Sequence, residues 1–303
     1  MTLTIRPEKP ADFAALHDVH IRAFDNRMGE AALVALLRTR EQYDPELSLI
    51  AEVNNRVVGH AMFNPMKFYV EGRPLKGVNL APLAIHPDFQ RQGIGGDLMR
   101  RGHDIAQKKN YHFSMLLGHP TYYPKFGYQT GVYGVSSVTV KTASLSEMVL
   151  ETEKPLVEDI PELANLHRMN EKAVNLSIVP ENNLAEWMSP DKTIPCTVYR
   201  HDGEIVGYTR GTGEDVRLFL AKDEATARGI AKHLAGDAAE ITLPLHPESL
   251  CANAFDDKPT VTAWDAGMVC PLNDYSPILD YLKTIENGQS VGRVIWVSVF
   301  DIA

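Results

Sequence analysis

Apolar and polar positions alternate along the first half of the chain in a way that predicts a mixed α/β fold. Apolar residues recur at helical spacing over residues 10–24 and 30–40, which predicts two helices near the start. Strand-like runs joined by short turns follow, and such turns favour antiparallel pairing. These runs are residues 47–53, residues 56–63 and 66–70 with an interruption at Asn64-Pro65, and residues 77–86.

A crossover unit is predicted next. The apolar residues over 93–109 are spaced as one face of a helix, and residues 112–117 form an apolar run typical of a buried strand. Parallel strands need a crossover connection of this length. We therefore expect the strand at 77–86 and the strand at 112–117 to be parallel neighbours.

The second half repeats this order of elements. The repeat predicts a diverged internal duplication, with domains at residues 1–145 and 155–303. Chance similarity between apolar strands is the alternative. The predicted elements are a helix at 159–171, strands at 196–200, 204–210 and 216–221, a helix at 224–234 and a strand at 240–245, and the local matches include RVVG at 56–59 with EIVG at 204–207.

The overall composition narrows the class of protein. A chain of 303 residues is long enough for two domains of about 150 residues each. Its 39 acidic and 30 basic residues give a net charge of −9, which argues against nucleic-acid binding but suits a cationic small molecule. No apolar run approaches the ~20 residues that cross a bilayer, so we expect no membrane partner.

The cysteines and the start of the chain bear on the compartment. Cys196, Cys251 and Cys270 are an odd number of cysteines and lack metal-ligand spacing. The opening residues lack the apolar core of a secretory signal. We therefore predict a cytoplasmic protein without a metal.

Residues 80–98 carry the clearest chemical signal. A predicted buried strand ends at His86-Pro87, and the glycine-rich residues 90–96 lead from it into a helix. Glycines let a ligand approach the backbone closely. The amides of a first helical turn have no partners within the helix, and the helix dipole is positive there. The segment therefore predicts a site for an anion such as a pyrophosphate.

Two other phosphate-binding loops fit this segment less well. A Walker A loop requires Lys followed by Ser or Thr after its last glycine, whereas Asp97 follows Gly96 here. The dinucleotide pattern GxGxxG requires a third glycine where this chain has Leu98. An NAD(P) enzyme is therefore disfavoured.

The segment resembles motif A of the GNAT superfamily of N-acetyltransferases. The family signature Gln/Arg-x-x-Gly-x-Gly/Ala is matched by Gln90, Gly93 and Gly95. Downstream, YPKFGY at 123–128 is similar to the family's Tyr-x-Lys/Arg-x-Gly-Phe/Tyr segment. The resemblance covers about residues 3–140. It implies a GNAT-like fold, and the repeated order of elements then suggests two tandem GNAT-like units, of which the second is degenerate.

The resemblance also implies roles for particular residues. It makes the Leu83 amide the candidate that polarises the acetyl carbonyl, since Pro82 has no N–H. It makes Tyr123 the candidate acid that protonates the coenzyme A thiolate, and Tyr122 is the weaker candidate. It implies that acetyl-CoA is the acyl donor and is bound by Leu83, Ala84, Ile85, Gln90, Arg91, Gln92, Gly93, Ile94, Gly95 and Gly96.

The implied reaction is direct attack of a small-molecule primary amine on acetyl-CoA in a ternary complex. The alternative is an acyl-CoA sensor or scaffold without turnover. The base that deprotonates the amine is open among Glu30, His86, His119 and a water chain. Larger relatives of the enhanced-intracellular-survival type place their C-terminal carboxylate in the active site. Here that group would be Ala303, which follows an apolar run at 294–300 with strand-like character.

The second half departs from the motifs where chemistry is needed. Thr226 replaces the first residue of the glycine motif, and Leu250 falls opposite the candidate acid. We therefore predict a non-catalytic copy that walls the acceptor cleft or forms the interface of a homo-oligomer. His246 and Trp264 are expected to pack in the core.

Overall fold

The computed structural model describes residues 2–274 and 276–302, and its fold is mixed α/β, as predicted. The first half contains β1 (Leu3–Pro7), α1 (Phe13–Ala23), α2 (Gly29–Leu37), β2 (Ser48–Val53), β3 (Arg56–Val70), β4 (Arg73–Ile85), α3 (Ile94–Lys108), β5 (Phe113–Leu117) and β6 (Tyr133–Lys141). The second half contains β7 (Glu151–Glu153), α4 (Ile160–Glu171), β8 (Leu176–Val179), β9 (Cys196–His201), β10 (Glu204–Gly211), β11 (Val216–Ala221), α5 (Glu224–Ala235), β12 (Glu240–Leu243), β13 (Thr260–Ala263), β14 (Gly267–Pro271), α6 (Ile278–Glu286) and β15 (Gly292–Arg293).

The first sheet has the strand order β1-β2-β3-β4-β5-β14, and β8 joins β3 at its far end. Strands β1 to β4 are antiparallel neighbours, as the short turns predicted. Strand β5 is parallel to β4, which confirms the predicted crossover through α3. The buried faces of β2, β3 and β4 pack against Leu98 and Met99 of α3, so the crossover helix covers one side of the sheet.

The interruption predicted at Asn64-Pro65 is wrong, because β3 runs unbroken through both residues. Asn64 pairs with Asn79 and Pro65 with Val78 on β4. On the other edge of β3, the pairing with β2 ends at Met62 and the pairing with β8 begins at Lys67. Pro65 lies in the gap between them, where a missing N–H interrupts no ladder.

Strands of both halves pair with each other in the first sheet and in a third sheet, which has the order β12-β6-β13 with β15 also paired to β6. The second sheet has the order β11-β10-β9-β7, while β12 pairs with β6 from the first half. Strand β14 pairs with β5 in the first sheet, and the hydrophobic pattern did not predict this strand. The boundary between residues 145 and 155 stays a prediction.

The C-terminal segment, residues 294–302, is not a strand, contrary to the prediction for 294–300. It ends in a short 3-10 helix, and Val299 and Phe300 pack against α2. Asp301 accepts a hydrogen bond from Arg217 at 3.1 Å and lies 3.4 Å from Nε of Arg210. The apolar residues of this segment are thus buried by packing against α2 and not by pairing with a strand. The prediction for Ala303 lies outside the described residues.

A buried histidine pair fixes α1 against the sheet. His20 Nε2 lies 2.7 Å from His60 Nδ1, and His60 Nε2 lies 2.8 Å from Ser48 Oγ. Burial lowers the pKa of His20 to about 2 and that of His60 to about 3. Both rings are therefore neutral in the folded protein at ordinary pH.

The pair makes stability depend on pH. An unfolded histidine has a pKa of about 6.5, so below that pH the unfolded chain binds protons that the folded chain rejects. Stability is then lost as the pH falls from about 6.5, by about 1.4 kcal/mol per pH unit for each ring. Urea unfolding between pH 5 and 7.5 should show a slope of this sign, to which His103, His167 and His246 also contribute because burial lowers their pKa values too. His60→Gln should reduce the slope by the contribution of one ring. An unchanged slope in His60→Gln would contradict the assignment.

Candidate active site

The site begins where β4 and β5 separate. Their pairing covers only Gly77–Asn79 against Phe113–Met115, although β4 continues to Ile85. The His86 amide donates to Val58 O of β3 at 2.8 Å. Because successive residues of a strand point their amides to opposite edges, Leu83 and Ile85 direct theirs toward the open edge. This places both predicted residues where an extended ligand can pair with β4.

The glycine loop follows β4 directly and is tied back to it. Gln90 Nε2 donates to Ile85 O at 3.0 Å, so this side chain holds the loop in place. Gly93 precedes α3 with a φ of 86°, a left-handed conformation that favours glycine. Within the described chain no side chain caps this end of the helix. The first-turn amides at 94–96 therefore remain available to an anion.

The start of α3 is packed too closely for larger residues. A Cβ on Gly96 would lie 2.9 Å from the ring of Phe126. A Cβ on Gly95 would lie 3.1 Å from Tyr122 Oη. The glycines therefore let the helix start reach the gap between the separated strands.

A cavity of about 700 Å³ runs from this helix start along the open edge of β4, and we call it the donor cavity. Its charged lining residues, among those described, are Arg91 and Arg100, both cations. Cations beside free amides favour a phosphate-bearing ligand. It is lined by Ala23, Phe24, Leu83, Ile85, Phe89, Gln90, Arg91, Gly93, Ile94, Gly95, Gly96, Arg100, His119, Tyr122, Tyr123 and Phe126.

A second cavity, of about 520 Å³, adjoins the first, and we call it the acceptor cavity. It lies between α2, the middle of β4 and the C-terminal segment. The two cavities share four lining residues, Phe24, Leu83, His119 and Tyr123. Molecules bound in the two cavities would therefore meet beside Leu83 and Tyr123.

The two candidate tyrosines differ in position. Tyr123 lines both cavities, whereas Tyr122 lines only the donor cavity. Burial raises the pKa of Tyr123 to about 12, so its phenol is protonated at neutral pH. Gly118 makes room for this ring, since a Cβ there would lie 2.3 Å from Tyr123 Cε2. The geometry favours Tyr123 as the proton donor.

The candidate bases are separated by the structure. Glu30 lines the acceptor cavity and His119 lines both cavities. His86 lines neither of them and is buried, with its ring 3.0 Å from Arg56 Nη2 and accepting from the Asp88 amide. Two of the three predicted side chains can therefore face a bound amine.

At the corresponding place in the second half, the start of α5 borders a cavity of about 400 Å³ whose lining includes three carboxylates, Asp202, Glu204 and Asp223. Asp223 accepts hydrogen bonds from the amide and hydroxyl of Thr226 at 2.8 and 2.7 Å, so a carboxylate already occupies the start of α5. Met148 packs against Gly229, where a Cβ would lie 2.6 Å from Met148 Cβ. His246 is buried, and its Nε2 lies 3.0 Å from Val291 O. These contacts leave no anion site comparable to that of α3 in this described segment.

Several site residues were missed by sequence reasoning. Arg100 lies two turns into α3, and nothing in its neighbourhood distinguishes it from other surface arginines. Trp296 and Phe300 come from the C-terminal segment and reach the acceptor cavity only through the tertiary fold. Asn79 could have been noticed as a polar residue within a predicted buried strand.

The described residues contain neither a membrane-spanning helix nor a cluster of metal ligands. No helix there is long and apolar enough to cross a membrane. No group of three or more His, Cys, Asp or Glu residues in that part of the chain could hold a metal ion.

Comparison with known proteins identifies the family. Residues 4–131 match the model of the acetyltransferase (GNAT) domain. The chain is 38% identical over 120 residues to the uncharacterised N-acetyltransferase YjhQ of Escherichia coli K12, a match covering 39% of this chain and 65% of YjhQ, just under two thirds of its length. It is 31% identical over 132 residues to the uncharacterised N-acetyltransferase YhbS of the same strain, covering 43% of this chain and 76% of YhbS.

The fold of most of the chain is also found in a solved structure. A GCN5-related N-acetyltransferase from Kribbella flavida superposes with a TM-score of 0.69 at 20% identity, over 89% of this chain and 72% of that one. The similarity therefore extends into the second half at the level of fold. Together with the match to YhbS, the predicted resemblance is confirmed: the chain belongs to the GNAT family of acetyltransferases.

Proposed function

We propose that this protein transfers acetyl from acetyl-CoA to a primary amine of a small molecule, by direct attack in a ternary complex. The observation that carries the proposal is the meeting of two cavities at Leu83 and Tyr123. One cavity has the cations and free amides suited to a pyrophosphate, and the other is lined by a single carboxylate among the described residues.

The donor cavity accounts for the parts of acetyl-CoA. The amides at 94–96 would receive the pyrophosphate, with Arg91 and Arg100 beside it. The pantetheine arm is extended and carries amides, so it would pair with the open edge of β4 at Leu83 and Ile85. This places the thioester at the end of the donor cavity, where the acceptor cavity begins.

The reaction then follows from the groups at the junction. The amine nitrogen attacks the thioester carbonyl, and the Leu83 amide donates to the oxygen as negative charge develops on it, an interaction worth about 3 kcal/mol. As the C–S bond breaks, Tyr123 gives its proton to the leaving thiolate. Glu30 or His119 takes the proton lost by the amine, directly or through water.

The alternative is an acyl-CoA sensor without turnover. The junction favours the enzyme, since a sensor needs neither a proton donor at the thioester nor a second cavity that opens on it. Thiol release from acetyl-CoA, measured with and without a panel of amines, separates the two. Binding of coenzyme A without release in the presence of any amine would support the sensor.

Substitution of Tyr123 tests the acid. Tyr123→Phe removes the proton donor but keeps the ring, so kcat should fall well over tenfold while the Kd for coenzyme A changes little. Tyr122→Phe is the matched control and should retain most of the turnover. Steady-state kinetics and calorimetry would measure both quantities, and unchanged turnover in Tyr123→Phe would remove Tyr123 from the mechanism.

Two neighbouring arginines test the donor cavity. Arg100 lines it and pairs with Asp97 at 2.7 Å, whereas the exposed Arg101 does not line it. Arg100→Ala removes a cation and leaves Asp97 unpaired near the phosphates, so the Kd for coenzyme A should rise about three- to tenfold at low salt. Arg101→Ala should stay within about twofold. Equal effects of both substitutions would speak against this placement of the phosphates.

The occupied helix start of α5 predicts one coenzyme per chain. Calorimetric titration with coenzyme A should saturate at one equivalent, because Asp223 and Met148 fill the second position. The Arg100→Ala substitution should weaken that single event. A second binding event that persists in Arg100→Ala would show that the second half also binds the coenzyme.

A further inference from the structure

The acceptor cavity contains a buried amide that the reaction does not use. Asn79 lines this cavity on β4, at the last residue paired with β5, and is only 1% exposed. Neither its Nδ2 nor its Oδ1 forms a hydrogen bond to any other part of the chain that the structure describes. An amide with both ends unpaired is rare in a protein interior, because the lost hydration is not replaced.

The neighbouring asparagine shows the contrast. Asn64 lies opposite Asn79 on β3 and donates from Nδ2 to Asn79 O at 3.1 Å and to Ala81 O at 2.6 Å. These bonds hold the backbone of β4 where it leaves β5. Asn64 therefore serves the fold, whereas the side chain of Asn79 keeps an unused donor and an unused acceptor at the wall of the cavity.

The rest of the lining limits what that ligand can be. Glu30 is the charged residue of the described lining, so the cavity matches one cationic group and not several. Aromatic rings from three segments, Phe24, Tyr123, Trp296 and Phe300, form most of the remaining wall together with Leu33 and Leu80. Such walls favour an apolar or planar body and also attract an ammonium.

The C-terminal segment, which carries Trp296 and Phe300, is held in place by residues of the second half of the chain. Arg210 donates from Nη2 to Trp296 O at 2.5 Å, and Ser298 Oγ donates to Ala185 O at 2.6 Å. Asp301 is 5% exposed at its side chain between Arg210 and Arg217. The rings of Trp296 and Phe300 are thus fixed parts of the cavity.

We propose that Asn79 determines acceptor specificity, and that the acceptor is a monoamine on an apolar or aromatic body that bears one neutral hydrogen-bonding group, a hydroxyl or a carboxamide. This inference rests on the proposed function and narrows it. Polycations such as polyamines are disfavoured, since one carboxylate serves the whole cavity.

The test compares amines that differ by one polar group. Phenethylamine, tyramine, phenylethanolamine and phenylalaninamide share a body, and only phenethylamine lacks the additional group; spermidine represents the polycations. For at least one of the three polar amines, kcat/KM with the wild-type protein should exceed that of phenethylamine at least fivefold. Asn79→Leu should raise KM for the polar amines, so that the ratio of their kcat/KM to that of phenethylamine falls to about one.

Stability separates a specificity role from a structural one. Replacing an unpaired buried amide by an apolar side chain removes an unsatisfied group, so Asn79→Leu should unfold at or above the wild-type temperature. The matched control Asn64→Leu should unfold at a lower temperature, because it loses two hydrogen bonds. Asn79→Ala provides a smaller second variant should Leu not fit the space.

Each outcome decides the inference. A wild-type protein that prefers spermidine, or that does not discriminate among the four aromatic amines, would overturn it while leaving acetyl transfer intact. A preference that survives in Asn79→Leu and Asn79→Ala would also overturn it. If no amine releases thiol, the proposed function fails, and calorimetry of the same amines on the coenzyme-A-bound protein still decides, since binding needs no turnover. Equal binding by wild type and Asn79→Leu would then reject the role of Asn79.

Discussion

The separation of β4 from β5 after Asn79 is the constraint on which the site depends. A parallel pair requires a crossover helix, and α3 begins in the gap that the diverging strands leave. The gap therefore presents a free strand edge and the free amides of a helix start side by side. Small residues make this possible, because a Cβ on Gly96 would meet Phe126. Tyr123 follows the end of β5 and so faces the same gap. One backbone feature thus places the free amides of the helix start, the open strand edge at Leu83 and the ring of Tyr123 within one cleft.

The second half completes the site without adding a second one. Its strand β14 pairs with β5 in the first sheet, and its strand β12 pairs with β6 of the first half. Its own helix start is filled by Asp223 and Met148. Its arginines on β10 and β11 hold Asp301, and the segment so held delivers two aromatic rings to the acceptor cavity. The second half therefore forms part of the wall of a cavity that the first half begins.

The sequence predicted the parts of the site that depend on local structure. The glycine loop, the helix behind it and Tyr123 could be predicted because a few adjacent residues determine their geometry. Strand β14 and the docked C-terminal segment could not, since short apolar runs look alike until their partners are known. The error at Pro65 has the same origin. A proline interrupts a strand only where its N–H would have been paired, and the gap between β2 and β8 that leaves this position unpaired depends on the tertiary structure. Asn79 was visible as a residue, but its lack of partners was not.

The charge distribution shows why the net charge of −9 does not describe the site. Charges at a protein surface are screened over about 8 Å at physiological salt, so a ligand in a cleft responds to the groups that line it. The donor cavity is lined by two arginines and by free amides, while the acceptor cavity is lined by Glu30. Under the proposed function, the anionic coenzyme and the cationic amine would therefore bind on opposite sides of Tyr123. Because each cavity favours a ligand of one sign, this division would help to orient the amine toward the thioester. The acidic surface as a whole adds only a weak preference for cations, and we propose that the selection between amines lies with neutral groups of the cavity such as Asn79.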